Sequence, residues 1–153
     1  MTPGALTVHV QTAYRGSPRP AAADIRRWAR AAVADGAARA LTVRIVGEEE
    51  SAALNERYRG RPGPTNVLAF PADPAAAALE AGAAPLGDLV ICAPVVAREA
   101  AEQGKALEAH WAHMVVHGAL HLLGYDHMKA PDARRMERRE REILAGLGFP
   151  DPY

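Results

Sequence analysis

Apolar and polar positions alternate along residues 5 to 12, ALTVHVQT, with Leu6, Val8 and Val10 on one face and His9 on the other. That period of two predicts a half-buried strand. From Ser17-Pro18 onward the period lengthens, and Ile25, Trp28 and Ala32 form a helical stripe beside Arg26, Arg27 and Arg30, ending at Asp35-Gly36. LTVRIV, 41 to 46, is a second strand. Gly47 and Glu48-Glu49-Glu50 then open a helix with acids in its first turn, as the helix dipole favours. It carries Leu54 and Tyr58 and stops near Gly60. A turn-rich RGRPGPTN leads to a short strand, VLAF (67 to 70), closed by Pro71. Residues 72 to 85 are an Ala-rich, low-complexity excursion. LGDLVICA, 86 to 93, is the last strand.

Three helices follow. Pro94 suits the first turn of one that runs to Gln103-Gly104. The next, 106 to 123, is apolar nearly all round, with Leu107, Trp111, Met114 and Leu122 on one side and Val116, Leu120 and Leu123 opposite. Such a helix is buried, so it is expected at the centre of the domain. After the turn at Pro131-Asp132, a final amphipathic helix turns Met136, Ile143, Leu144 and Leu147 inward. Its outer face interleaves Arg134, Arg135, Arg138, Arg139 and Arg141 with Glu137, Glu140 and Glu142, and Glu137 and Arg141 stand at i, i+4. Four strands and about five helices in mixed order predict an α+β fold, one sheet packed with helices. The length of 153 residues predicts one domain spanning 1 to 153.

Composition narrows the function classes. Eighteen basic residues balance eighteen acidic ones, which argues against a broad, non-specific grip on nucleic acid. Sixteen of the eighteen bases are Arg, whose fork matches phosphate and carboxylate, although a GC-rich coding bias gives the same excess. The lone Cys92 has no partner for a disulfide or a Cys-based zinc site. No signal peptide and no membrane-length apolar run stands out, so a cytoplasmic protein is expected.

The chemistry lies in HGALHLLGYDH, 117 to 127. Histidines at i and i+4 stand about 6 Å apart along one helix face, from which both rings reach one ion. Gly124 lets the chain leave the helix and brings His127 back to the same point. His117, His121 and His127 are therefore the expected ligands. Three neutral imidazoles leave a fourth position open, the layout of a catalytic zinc site. His113 lies about 12 Å along the axis from His121, too far to share that ion, and is expected behind the ligands. His110, a further turn away, is expected behind them or on the helix surface. The spacing matches the zinc-peptidase signature H-E-x-x-H-x-x-G-x-x-H, except that Gly118 replaces the glutamate that activates water. A glycine within a helix costs about 1 kcal/mol relative to alanine, which suggests a packing or a substrate reason. Without that glutamate the ion keeps its full charge, which suits a phosphodiester better than a peptide. Asp88 is a candidate acceptor behind a metal-site histidine, or an arginine's partner. Asp126 adjoins a ligand and can brace the Gly-Tyr-Asp turn.

HGALHLLGYDH resembles the signature of the YbeY family of bacterial rRNA-maturation endoribonucleases. LNERYRGRPGPTNVLAFP (54 to 71), LGDLVICA and the M-x(6)-IL pattern of the last helix resemble that family too, so the likeness spans roughly residues 41 to 147. It implies a zincin-like α+β fold, one zinc ion on His117, His121 and His127, and a functional arginine at Arg59. Gly63 and Ala69 stand where the family often has Lys and Ser. The implied activity is cleavage of single-stranded ribosomal RNA, in maturation of the 16S 3′ end, ribosome assembly and ribosome quality control. The implied partners are the small ribosomal subunit and assembly factors such as an Era-like GTPase. Arg59 would stabilise charge building on the phosphoryl oxygens, with Arg57 and Arg61 as further phosphate contacts. The nucleophile is either water at the metal or the substrate 2′-OH. A zinc peptidase and a non-catalytic, zinc-containing assembly factor are the rival readings.

Overall fold

The computed structural model describes residues 6–34, 39–73 and 84–153. The elements are β1 (Leu6–Thr12), α1 (Ala22–Ala32), β2 (Arg39–Val46), α2 (Glu48–Arg59), β3 (Val67–Pro71), β4 (Ala84–Cys92), α3 (Ala93–Gln103), α4 (Leu107–Leu122) and α5 (Ala130–Gly146). One four-stranded sheet runs in the order β1-β2-β4-β3. β1, β2 and β4 are parallel, and β3 pairs antiparallel with β4. Among the described residues, four strands and five helices make the predicted α+β architecture, with one mixed sheet.

The two faces of the sheet are unequal. Leu6, Val8, Leu41, Val43, Ile45, Leu89 and Ile91 pack with Trp28, Trp111 and the inner residues of α4 and α5 in the larger core. Val46, Leu68, Val90 and Cys92 form a smaller core on the other face, with Leu54 of α2 packed against it. Cys92 is buried and unpaired. α4 is central as its pattern predicts: eleven of its sixteen residues are buried.

Several boundaries differ from expectation. α1 starts at Ala22, not Ser17, because Ser17 and Arg19 each precede a proline and are pushed out of the helical region. The expected stop at Asp35-Gly36 and most of the Ala-rich stretch lie outside the described residues. α5 begins at Ala130, with Pro131 inside its first turn rather than before it. Arg26 and Arg30, one turn apart on α1, donate to the Val8 and Leu6 carbonyls at 3.2 and 3.1 Å. They occupy the free edge of β1, which blunts it against pairing with another strand.

Candidate metal centre

β3, the sheet's other edge, runs beside α4, and a cavity of about 170 Å³ opens between them. Val67 and Ala69 form one wall; His117, Gly118, His121 and His127 form the other; Arg59, Thr65 and Asn66 close the rim. The rim is held from below. Buried Ser51 accepts the Thr65 N–H and donates to the Thr65 carbonyl, both at 3.0 Å, and Asn55 donates to the Gly63 carbonyl at 2.9 Å. Gly60 ends α2 in the left-handed region at φ 66°, so the chain leaves the helix directly after Arg59. Asn66 donates to Glu99, which also accepts from His110 Nε2 at 2.9 Å. His110 is thus neither a ligand nor a surface residue; it ties α4 to the cavity wall through Glu99. Burial pushes its pKa down, opposed by the bond to Glu99.

His117, His121 and His127, the three expected ligands, line this one cavity. The His127 ring centroid is 5.4 Å from that of His117 and 6.0 Å from that of His121. Gly124, at φ 101°, makes the turn, and Asp126 braces it by accepting the His127 and Met128 N–H groups at 2.7 and 3.1 Å. In the two helical histidines the inner nitrogen is already engaged. His117 Nδ1 meets Glu140 Oε1 at 2.6 Å, and His121 Nδ1 meets the Tyr125 carbonyl at 3.2 Å. Both partners are acceptors, so each Nδ1 is the donor, and in the neutral ring Nε2 is the nitrogen with the lone pair. Burial, together with His117, His127 and Arg59 nearby, lowers the His121 pKa, against the opposing bond to Tyr125. A ring held neutral is the form that binds metal.

Glu140 was not legible as a site residue; it sits where a solvated face was expected. It is fully buried, on the same stripe as Met136, Ile143 and Leu144. Burial raises its pKa, but the approach of His113 and the bonds from His117 and the Tyr153 hydroxyl bring it down to about 2. It is therefore a buried carboxylate at neutral pH. His113 is buried beside it, with Nε2 3.5 Å from Glu140 Oε2, yet neither of its ring nitrogens makes a hydrogen bond among the described residues. His113, His117 and Glu140 bring ligand atoms within 4.8 Å of one another, so this buried group could also hold a metal ion.

Other expectations need correction. Asp88 is not behind a metal-site histidine. In the register Phe70 pairs with Asp88 and Ala69 with Leu89, so Asp88 points to the opposite face of the sheet. There it lines a separate cavity with Arg44, Glu50, Tyr58 and Phe70. Glu140, not Asp88, meets a histidine of the cavity, at His117 Nδ1. Arg57 lies over the Tyr58 ring, 5.3 Å from its centroid, and neither Arg57 nor Arg61 lines the histidine cavity. Arg141 pairs with Asp151 at 3.0 Å instead of with Glu137. Gly118 has a packing reason: a Cβ there would stand 2.7 Å from Leu89 Cδ2 and 3.3 Å from Val67 Cγ2. Any side chain at 118 would have to displace the ends of Leu89 and Val67 for α4 to stay this close to β3 and β4.

These features define the class: an α+β protein with one mixed sheet, whose histidine-lined cavity lies between its central helix and an edge strand. The chain matches the family model Endoribonuclease YbeY over residues 17–148, and it belongs to that family. It is 58% identical over 139 residues to Endoribonuclease YbeY of Halorhodospira halophila, covering 90% of each chain. It is 51% identical over 150 residues to that of Nitrosococcus oceani, covering 97% of each. The solution structure of TM1509 from Thermotoga maritima shares the fold, with a TM-score of 0.54 and 21% identity over 93% of this chain and 92% of that one.

Proposed function

We propose that this chain is a zinc-dependent endoribonuclease that cuts single-stranded ribosomal RNA, with one ion held by His117, His121 and His127. The observation that carries the metal reading is the pair of engaged Nδ1 atoms, on Glu140 and on the Tyr125 carbonyl. They leave Nε2 of His117 and His121 free beside His127. Family membership supplies the reaction class, and the cavity agrees with it. Among the described residues no carboxylate lines the cavity, while Arg59 does. A peptidase site needs a base for water and an acid for the departing amine; an anionic phosphodiester is instead drawn to a carboxylate-free cavity.

When bound, a divalent ion supplies Lewis-acid polarisation and acidifies adjacent water. The chain's own residues do the rest. Arg59 orients the scissile phosphate and stabilises charge on its non-bridging oxygens. The Asn66 and Thr65 rim fixes how deeply the strand enters. Arg57 and Arg61, outside the cavity, contact flanking phosphates. The finer setting rests on kinship: 16S 3′-end maturation, ribosome assembly and quality control in the cytoplasm, with the small ribosomal subunit and an Era-like GTPase as partners. One domain over residues 1 to 153 belongs to the same reading. No helix among the described residues is long and apolar enough to cross a membrane.

A second reading has a specific observation behind it. An ion between His113, His117 and Glu140 would be structural, as in an assembly factor without catalysis. Labelled single-stranded and duplex RNA separate the two. The nuclease cuts only the single strand, stops with chelator and resumes with zinc. Ends bearing a 2′,3′-cyclic phosphate identify the 2′-OH as nucleophile, and 5′-phosphate ends identify water. Zinc-bearing protein that leaves RNA intact refutes the nuclease, and metal-dependent cleavage of unstructured peptides alone replaces it with a peptidase.

A further inference from the structure

Segment 149–153 is fastened to α1, to α5 and to Lys105 just before α4 by contacts that the cleavage reaction does not explain. Phe149 packs edge-on against Trp28 at 5.9 Å. Lys105 Nζ donates to the Pro152 carbonyl at 2.7 Å. Arg141 holds Asp151, and its guanidinium lies 5.2 Å from the Tyr153 ring centroid. These contacts deliver one polar atom into the interior. Although Tyr153 is itself 55% exposed, its hydroxyl donates to Oε2 of Glu140, which is 0% exposed. The other oxygen of that carboxylate accepts from His117 Nδ1.

We infer that Tyr153 is a positioning residue for the metal centre, acting through Glu140 to fix the tautomer and angle of His117. The inference rests on the proposed ligand role of His117. Its physical basis is the geometry of one buried carboxylate held at both oxygens. With Oε2 taken by the tyrosine hydroxyl, the carboxylate cannot rotate about its stem, and Oε1 stays aimed at Nδ1. His117 must then keep its proton on Nδ1 and present Nε2 to the cavity. Partners of this kind typically change metal affinity by about 10- to 100-fold when lost. Tyr153 acts one bond further away, so the lower end of that range is expected. Tyr153→Phe isolates the effect, because it keeps the ring against His113, 5.4 Å away, and under Arg141.

Two readouts test this on the full chain. Nitrogen-correlated NMR of the metal-free protein, at a pH where His117 is neutral, reads the tautomer without any metal. Chelator competition reads zinc affinity. The expected wild-type spectrum shows His117 as the Nδ1–H tautomer alone. Tyr153→Phe shifts it toward a mixture and weakens zinc binding by roughly 10-fold. In a Glu140→Gln background Tyr153→Phe adds nothing further, since residues acting in series do not add. Should Glu140→Gln fail to fold, Tyr153→Phe alone decides through both readouts. An unchanged tautomer and affinity in Tyr153→Phe overturn the inference, as does an effect additive with Glu140→Gln. Two ions per chain, one of them lost in Glu140→Gln, also overturn it, in favour of an ion at Glu140. A wild-type chain that binds no zinc refutes the metal reading instead, and the spectrum still decides the relay.

Discussion

His127→Ala is expected to weaken zinc binding by more than the roughly 100-fold that loss of a ligand's supporting partner costs, while thermal stability of the metal-free chain stays unchanged. The two effects separate because His127 is exposed, in a turn held by the Asp126 carboxylate and not by the ring. Exposed substitutions of this kind usually stay within about 0.5 kcal/mol. His113→Ala supplies the contrast. It opens a void beside Glu140 and should lower stability, but it leaves the ion in place if His117, His121 and His127 are the ligands. Isothermal titration with zinc, alongside calorimetric unfolding of the metal-free variants, checks both. Retention of wild-type affinity in His127→Ala with its loss in His113→Ala would shift the ion to the buried group.

Arg59→Glu is expected to cut the RNA cleavage rate by about 100- to 1,000-fold, the range seen when a single group stabilising transition-state charge is removed, with zinc content retained. Reversal places a carboxylate at the rim of a cavity that has none among the described residues, so the substrate phosphate is repelled as well as unsupported. Arg59→Lys keeps the charge but loses the two-pronged geometry, and its deficit should fall between the two. Single-turnover kinetics on single-stranded RNA separates the loss in kcat from the loss in KM. A guanidinium used in the transition state lowers kcat; one that merely attracts RNA raises KM and leaves kcat alone. Arg57→Glu and Arg61→Glu, outside the cavity, should act on KM.

Much of this fold was readable because its elements follow simple periods. The alternation in β1 and β2 survives in their burial, and the all-round apolar character of residues 106 to 123 placed α4 at the centre. The histidine spacing and Gly124 were equally legible, because ligands on one helix and the turn after it are set by local geometry. What depends on distant pairing was not. Asp88 reads equally as a histidine's acceptor or an arginine's partner, because nothing local says which face of β4 it takes; the register with β3 does. Glu140 was hidden by its neighbours. Read as one of three glutamates among five arginines it looks solvated, yet it falls four residues after Met136 and three before Ile143. A charge on an apolar stripe was the signal available. Tyr153 carried none, since its role exists only once segment 149–153 folds back onto α5. Gly118 was read as a packing or a substrate requirement, and the nearness of Leu89 favours packing.

The position of the ion is the central claim, and anomalous diffraction at the zinc absorption edge tests it most directly. Crystals of protein purified without a histidine tag and grown with zinc should show one peak, bonded to Nε2 of His117 and His121 and to the His127 ring, across the cavity from Arg59. A peak between His113, His117 Nδ1 and Glu140, with none among the three cavity histidines, would contradict it.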